Sequence, residues 1–462
     1  MTDHVAVIGA YGSAGSAVAS ELADETIELT LIDDGDPGGG LCILRGCMPS
    51  KEVISAAEHR FAAHHDDRLD GPVPDIDLEE TIERKNEHTL SWAGHRRESI
   101  ESLADRETVT LHREPAQFVD DRTLEVGDRR IDPDYVVIAT GSVVQRPPIE
   151  GLDRVDAWTS ADVLDAVSLP DSAIALGLGY VGLELVPYLA EAGVDVTAVE
   201  VLPELLPQAD PPFGADLLEY YREELDLDLR LDTTVESVAP DPDGVTAELG
   251  DGSTLDAEEL VLFTGRRPAI DRLNLEATAI DPGEDWVEPT LQTAADDHVF
   301  VAGDANGSRP LLHVAKEEAA VVAENIRRHR DDRPPREHES IDHEVMFSGL
   351  GVLPYARVGH TAQSAAAAGI DHVVVDRAAS DDGVFAAKAV PDGRARLVVG
   401  TDGTVLGYQG LHYHADVMAK TAQIVVETGL DVRSLPDRAY HPTTPEILDG
   451  LFGAAADRID GQ

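Results

Sequence analysis

The hydrophobic positions in the first two-thirds of the chain form short apolar runs separated by longer helical patterns. Residues 5–8 are an apolar run, followed by a glycine-containing turn and an Ala-rich helical segment that ends near Leu22. Residues 29–32 form the next run, which ends in Asp33. A strand, a glycine turn, a helix and a strand ending in an acid are typical of a dinucleotide-binding βαβ unit.

The first glycine turn carries Gly9, Gly12 and Gly15. Glycines let backbone N–H groups approach a pyrophosphate at a helix N-terminus, and Asp33 is placed to hold a ribose hydroxyl. The spacing is G-x-x-G-x-x-G, which has one residue more than the usual G-x-G-x-x-G, near Tyr11. The turn therefore predicts a dinucleotide site with an altered loop.

A second dinucleotide pattern begins at residues 173–176. Here G-x-G-x-x-G is intact as Gly177, Gly179 and Gly182, and the apolar run 195–199 ends in Glu200. An acid at this position accepts from a free ribose 2′-hydroxyl and repels a 2′-phosphate. The pattern favours NAD(H), with NADP(H) as the alternative.

The remaining pattern predicts three domains. Residues 54–106 read as a long helix pair, and the apolar strand 299–302 precedes a helix over 311–327 and a linker at 331–336. From about His343 the chain alternates strands with turns at 381–383 and 402–403, with helices near Gln363 and Ala415, which indicates an α+β domain. The predicted domains are residues 1–145 with 270–335, residues 146–269, and residues 336–462.

The charge balance is strongly acidic. The 462 residues include 89 Asp and Glu against 36 Lys and Arg, which gives a formal net charge of −53. The acids are spread along the whole chain, as in proteins from halophiles, and would repel nucleic acid and anionic membranes. No apolar run approaches the roughly 18 residues that span a membrane. We therefore expect a cytoplasmic chain.

The two cysteines, Cys42 and Cys47, are separated by four residues. If Gly46 and Pro49 mark a helix start, Cys47 lies in the first turn, where the helix dipole favours a thiolate. In a reducing compartment such a pair is more often redox-active than structural, although two unrelated buried thiols are the plain alternative. His412, His414 and Asp416 lie close together and could suggest a metal site, but we predict no metal site.

Together these segments resemble the class I pyridine nucleotide–disulfide oxidoreductases, most closely those of the dihydrolipoyl dehydrogenase type from halophilic archaea. The matching segments, in chain order, are residues 39–51, 139–141, 177–184, 265–268, 302–304 and 441–446. The sequence departs from the family at the extra residue near Tyr11, at Leu41 and at residues 347–357. The resemblance implies an α/β fold with two Rossmann-like domains and a C-terminal α+β dimerisation domain. It also implies an interface role, rather than a metal site, for His412, His414 and Asp416.

The resemblance also implies two cofactors, FAD in the first domain and NAD(H) in the second. The residues implied for FAD are Gly9, Gly12, Gly15, Asp33, Lys51, Thr140, Gly141 and Asp304. Those implied for NAD are Gly177, Gly179, Tyr180, Gly182, Glu200 and Gly265. Tyr180 would cover the flavin until nicotinamide displaces it.

The chemistry implied by the resemblance passes electrons between nicotinamide, flavin and a Cys42–Cys47 disulfide. Cys47 would form the charge-transfer thiolate, and Cys42 would exchange with the substrate. His441 of the other subunit would act as the base, oriented by Glu446. Lys51 would lie near the flavin, paired with Glu184.

Within the family, the absence of any further cysteine excludes mercuric reductase and high-molecular-weight thioredoxin reductase. Dihydrolipoyl dehydrogenase is favoured, with the lipoyl domain of a 2-oxoacid dehydrogenase complex or a small dithiol as partner. The alternatives are a small-thiol disulfide reductase, for bis-γ-glutamylcystine or glutathione disulfide, and a flavin-binding scaffold without catalysis.

Overall fold

The computed structural model describes residues 3–23, 26–436, 438 and 440–461. The chain folds into two compact units. The first comprises Met1–Ser50, Glu83–Gln145 and Arg266–Ser340, and the second Lys51–Ile82, Arg146–Gly265 and Ile341–Gln462. Residues 51–82 belong with the second unit because Val53, Ile54 and Phe61 pack in its main hydrophobic core. The three-domain division stays a prediction.

A five-stranded parallel sheet forms the centre of the first unit. Alternate residues of its central strand face opposite cores, with Val5 and Val7 on one side and Ala6 and Ile8 on the other. Burial on both faces explains why these strands read as continuous apolar runs. The strands are, in spatial order, Val299–Val301, Tyr135–Ile138, Asp3–Ile8, Ile27–Ile32 and Val109–His112.

Helices and short strands complete the first unit. The helices Ser13–Leu22 and Leu312–Arg330 pack on one face of the sheet, around Val18, Phe300 and Val322. Two long helices, Cys47–His64 and Leu78–Leu103, begin or end in this unit. Two helices were predicted over residues 54–106, and the first begins at Cys47 rather than near Ile54; that they pair stays a prediction. The other elements are the helix Leu41–Leu44, the strands Ala116–Phe118, Leu124–Val126 and Arg129–Ile131, the strand pair Ser142–Val144 with Arg266–Pro268, and the 3-10 turns Asp271–Leu273, Leu275–Ala277 and Gly303–Asn306.

The second unit contains a parallel sheet of the same type. Its strands are, in spatial order, Asp228–Arg230, Asp195–Val199, Ser172–Leu176, Glu259–Leu262 and Trp158–Thr159. The surrounding elements are the helices Ser160–Asp165, Tyr180–Glu191 and Pro211–Glu223, the 3-10 turn Leu152–Arg154, and the antiparallel strands Val235–Asp241, Gly244–Leu249 and Thr254–Ala257. The sheet and the helix Tyr180–Glu191 form the second dinucleotide-binding pattern.

The C-terminal part of the second unit is an antiparallel sheet with helices, as predicted. Its strands are, in spatial order, His343–Met346, Tyr355–Gly359, Val405–His412, Gly393–Gly400 and His372–Ala378. Its helices are Ala362–Ala367, Gly383–Ala387, Ala415–Glu427 and Glu446–Asp460, with 3-10 turns at Gly349–Gly351, Ala379–Asp381 and Val432–Ser434.

One local prediction in this part is wrong. Residues 381–383 do not form a simple turn between strands, because they lead into the helix Gly383–Ala387, whose Phe385 is fully buried. The predicted fold class is confirmed by both parallel sheets and this α+β part. Within the described residues, no helix is both long and apolar enough to cross a membrane.

Candidate active site

Cys42 and Cys47 lie together in the first unit. Cys42 is in the short helix Leu41–Leu44, and Cys47 is the first residue of the helix Cys47–His64, as predicted from Gly46 and Pro49. The Cys42 thiol donates to Cys47 Sγ over 2.7 Å. This hydrogen bond is the main cause that raises the pKa of Cys42, and burial raises it further.

The glycine run before Cys42 holds this pair against the first glycine turn. Gly40 has a φ of +79°, and a Cβ there would lie 3.0 Å from the Cα of Gly12. A side chain would therefore separate the two segments. The sequence needs glycine at this position to place the cysteines beside the predicted pyrophosphate loop.

Apart from Lys51, which belongs to the second unit, the residues predicted for FAD follow the carboxyl ends of strands in the first parallel sheet. Gly12 is the N-cap of the helix Ser13–Leu22, so the first helical N–H groups face outward from the turn. Space in front of Gly141 is open within 4 Å of a built Cβ, and the buried Thr140 hydroxyl has no hydrogen-bond partner. An open cradle next to an unpartnered polar atom fits a dinucleotide.

The two acids predicted for FAD are already engaged by the protein. Asp33 accepts from the backbone N–H groups of Tyr11 and Gly35 at 2.8 Å each, and burial raises its pKa. Asp304 accepts from the Ser142 hydroxyl at 2.6 Å. Each carboxylate oxygen keeps a second lone pair, so both groups remain able to accept from ribose or ribityl hydroxyls.

The second glycine turn repeats this arrangement in the second unit. Gly179 is the N-cap of the helix Tyr180–Glu191, and no atom lies within 4 Å of a Cβ built on it. Glu200 is 8% exposed and accepts from the backbone N–H groups of Leu178 at 2.6 Å and Leu202 at 2.9 Å. The predicted ribose acid therefore also fixes the glycine turn. Space is likewise open beside Gly265.

Lys51 and Glu184 form the ion pair that the resemblance implies. Lys51 Nζ lies 2.6 Å from Glu184 Oε2, and the Lys51 side chain is 30% exposed. Phe347 supports both residues, because its ring lies 4.6 Å from Lys51 Nζ and its N–H donates to Glu184 Oε1 at 2.9 Å. The pair is thus held by a segment whose sequence departs from the family.

Tyr180, the first residue of its helix, is anchored through its hydroxyl. It donates to Glu344 and accepts from Gln208 Nε2 at 2.6 Å. Arg357 Nη1 donates to the Gln208 carbonyl at 3.0 Å, and its Nε lies 3.1 Å from Glu344. Burial is the main cause that raises the pKa of Tyr180. The ring is therefore fixed at one end by a polar network.

His441 and Glu446 lie together near the C-terminus. His441 Nδ1 is 3.1 and 3.2 Å from the two Glu446 oxygens, and the imidazole is 80% exposed. Glu446 also accepts from the Thr443 N–H at 2.9 Å, which is the main cause that lowers its pKa. A carboxylate at Nδ1 leaves Nε2 free to accept a proton, as a general base requires.

Several supporting residues have no signal in the sequence. Phe347, Gln208, Glu344 and Glu318 lie outside every motif, and only the three-dimensional structure brings them to the predicted sites.

The three residues that could suggest a metal site, His412, His414 and Asp416, do not assemble as one. His412 is fully buried and is hydrogen-bonded to Tyr408 and to the Tyr413 carbonyl. Burial lowers the pKa of His412 to about 4.

Comparison with known proteins matches two family models. Residues 3–319 match the pyridine nucleotide-disulphide oxidoreductase family, and residues 346–451 match the dimerisation domain of the same family. The second match supports a homodimer.

Similar proteins extend over nearly the whole chain. A dihydrolipoyl dehydrogenase of Halobacterium salinarum is 29% identical, with 99% of this chain and 98% of that protein covered. RclA of Escherichia coli, a probable pyridine nucleotide-disulfide oxidoreductase, is 26% identical, with 98% and 99% covered. The structure of LpdA from Mycobacterium tuberculosis superposes with a TM-score of 0.84 at 21% identity, with 99% of each chain covered, and confirms the fold. The chain therefore belongs to the pyridine nucleotide-disulphide oxidoreductases, FAD-dependent enzymes that exchange electrons between a pyridine nucleotide and a disulfide.

Proposed function

We propose that this chain is a dihydrolipoyl dehydrogenase that oxidises a dihydrolipoyl group with NAD⁺. Two S–H bonds of the substrate are replaced by one S–S bond, and the electron pair with one proton leaves on NADH while the second proton reaches solvent. The observation that carries the proposal is the thiol pair, with 2.7 Å between Cys42 and Cys47 and no other cysteine in the sequence. Similarity to the halophilic enzyme over 99% of the chain supports the choice of substrate.

Each residue of the site has a stated task in this proposal. Bound flavin relays electron pairs between the nucleotide and the protein disulfide. Cys42 exchanges with the substrate sulfur, and Cys47 is the thiol next to the flavin. Lys51, held by Glu184, contributes a positive charge beside the flavin, and Glu200 accepts from the NAD ribose.

His441 completes the site as the base for the substrate thiol. Its imidazole is 80% exposed in the single chain, although its Nδ1 is fixed by Glu446. A base so exposed is consistent with a role in the other subunit of a homodimer, where its Nε2 takes the proton from the dithiol. The lipoyl domain of a 2-oxoacid dehydrogenase complex is the proposed source of that dithiol.

Two activities measured side by side in molar KCl test the substrate. One assay uses dihydrolipoamide with NAD⁺, and the other uses bis-γ-glutamylcystine with NADH or NADPH. We expect fast NAD⁺ reduction in the first, abolished in Cys42→Ser and unchanged in Ser55→Ala, a control in the helix that begins at Cys47. Activity in the second assay alone would replace the proposal by a small-thiol disulfide reductase, the alternative that similarity to RclA favours.

Subunit complementation tests the task of His441. Cys42→Ser and His441→Gln chains are each expected to be inactive as homodimers. If the histidine serves the other subunit, each mixed dimer contains one site with both groups intact, so coexpression should restore about a quarter of wild-type activity. No recovery in confirmed mixed dimers would place the histidine in the site of its own chain or outside it.

A further inference from the structure

Two histidines and an aspartate lie together in the first unit, away from the residues discussed above. Asp297 and His298 precede the strand Val299–Val301, and His329 lies in the last turn of the helix Leu312–Arg330. The ligand atoms of these three side chains all lie within 4.8 Å of one another. No motif in the sequence joins them, since His298 and His329 come from separate elements.

Both imidazoles are held so that Nε2 is available as a ligand. His298 Nδ1 lies 2.9 Å from the Asp134 carbonyl oxygen, which can only accept, so Nδ1 carries the proton in the neutral ring. His329 Nδ1 lies 2.9 Å from the Tyr135 hydroxyl, whose oxygen can accept a hydrogen bond from Nδ1–H and so leave Nε2 as the ligand atom. Metal-binding histidines typically donate their second ring N–H to such a partner, which fixes the ring and its tautomer.

The distances to Asp297 suit a shared cation better than direct hydrogen bonds. His298 Nε2 is 3.7 Å from Asp297 Oδ1, and His329 Nε2 is 3.5 Å from Asp297 Oδ2. Good N–H···O bonds are shorter than this. In a tetrahedral zinc site with bonds of about 2.1 Å, neighbouring ligand atoms are about 3.4 Å apart.

The surrounding side chains make the cluster rigid on one side and open on the other. The buried ring of Tyr135 stacks on His298 at 5.0 Å, and the two imidazoles meet edge to face at 4.5 Å. The Asp297 side chain is 68% exposed, so a cation and a fourth, water ligand have access. The nearby Arg330 is turned toward Asp3 and Asp331.

We propose that Asp297, His298 and His329 bind a divalent transition-metal cation of the Zn²⁺ type. Two imidazole nitrogens and one carboxylate oxygen suit zinc, copper and nickel, whereas Mg²⁺ and Ca²⁺ prefer oxygen ligands throughout. The cation joins the segment before an edge strand of the parallel sheet to the end of a helix that packs on that sheet. Because the site exists only in the folded protein, binding stabilises the first unit.

Calorimetric titration with Zn²⁺ tests the site directly. The protein is the FAD-containing Cys42→Ser, Cys47→Ser dimer without a polyhistidine tag, which removes the thiols and the tag as competing ligands. Molar KCl screens weak binding to the acidic surface. We expect about one Zn²⁺ per chain, and at least tenfold weaker binding in each of His298→Gln and His329→Gln.

The control is His372→Gln, a half-buried histidine of the second unit bonded to the Ile370 carbonyl, which should bind Zn²⁺ like its parent. Zn²⁺ should also raise the thermal midpoint of the parent and of this control but of neither site variant. Absorbance of the bound flavin confirms that each variant is folded. Equal Zn²⁺ affinity in all four proteins, or no saturable binding in the parent, would overturn the proposal.

Discussion

The two glycine turns of this chain bring a helix equally close to a strand, although their loops differ in length. In both, the first glycine has a positive φ, the second is the helix N-cap, and a Cβ on the third would lie 2.1 Å from the carbonyl oxygen of the first. These glycine pairs are Gly9 with Gly15 and Gly177 with Gly182. The helix must approach the strand equally closely in both places, so the extra residue is absorbed between the first and second glycines.

The extra residue, near Tyr11, lies where the packing of the two glycine turns differs. Tyr11 is 2% exposed, and a Cβ on Gly38 would lie 2.7 Å from its ring. The first turn thus packs against the glycine run that leads to Cys42, whereas the second turn packs against Phe263 and is held by Glu200. Sequence similarity between dinucleotide loops therefore indicates the cofactor class, and the segment packed on the first loop carries the two cysteines of the proposed disulfide chemistry.

Substitution of the third glycine in each turn should have the largest effect and should distinguish the FAD site from the NAD site. Gly15→Ala and Gly182→Ala each force a methyl group against a backbone carbonyl, at a cost on the order of 3 kcal/mol or more. We expect Gly15→Ala to lose FAD, and Gly182→Ala to retain FAD but lose reduction by NADH. Flavin absorbance and NADH-dependent reduction measure the two outcomes.

The control for this comparison is Gly179→Ala, where the protein leaves open space. Its folding should be nearly unchanged while nucleotide binding weakens, because the methyl group occupies the predicted pyrophosphate position. If Gly179→Ala binds NADH normally, the second turn is not the nucleotide site.

Changing the two acids should have a smaller effect. Glu200→Gln removes a charged acceptor, worth about 1.5–3 kcal/mol, so the preference for NADH over NADPH in kcat/KM should fall by about 10- to 100-fold. Asp33→Asn should weaken FAD retention and leave this preference unchanged. Glu204→Gln, an exposed neighbour, is the control for Glu200. An unaltered preference in Glu200→Gln would contradict its assignment to the ribose.

A buried acid of the first unit, Glu318, should make the free energy of unfolding depend on pH. Glu318 accepts from the Gly303 N–H at 2.6 Å and from Asn306 at 2.9 Å, and burial raises its pKa from 4.5 to about 7. A carboxyl with a raised pKa binds protons more tightly in the folded state, so the free energy of unfolding falls as pH rises from about 4.5 to 7, by at most about 3 kcal/mol. Denaturant unfolding across this range should show a flatter profile for Glu318→Gln, and the wild-type slope for Glu324→Gln, a more exposed acid in the same helix.

The smallest effect is expected at Tyr180, the first residue of the helix Tyr180–Glu191. Tyr180→Phe removes the hydroxyl bonded to Glu344 and Gln208, at a cost of about 1 kcal/mol. Denaturant unfolding measures this cost, with Tyr440→Phe, a 78% exposed tyrosine, as the control. A cost above that of the glycine variants would contradict the stated order of effects.

Local sequence patterns predicted much of this structure, whereas the rest depends on contacts between residues that are distant in the sequence. The predicted strand 195–199 coincides with Asp195–Val199, because a buried parallel strand is a continuous apolar run. The helix predicted over 311–327 extends to Arg330. Its last turn is polar, so no hydrophobic periodicity in the sequence could predict where the helix ends. Phe347 at Lys51 and His329 at His298 meet only after folding, so no spacing rule in the chain could predict those contacts.

Anaerobic titration of the oxidised FAD-containing enzyme with NADH tests the central claim most directly. The claim is that Cys42 and Cys47 accept an electron pair in addition to the flavin. Wild-type enzyme should consume about two equivalents of NADH per chain, and Cys42→Ser about one, because a disulfide and a flavin are each two-electron acceptors. Equal consumption of one equivalent by both proteins would show that the thiol pair takes no part in electron transfer.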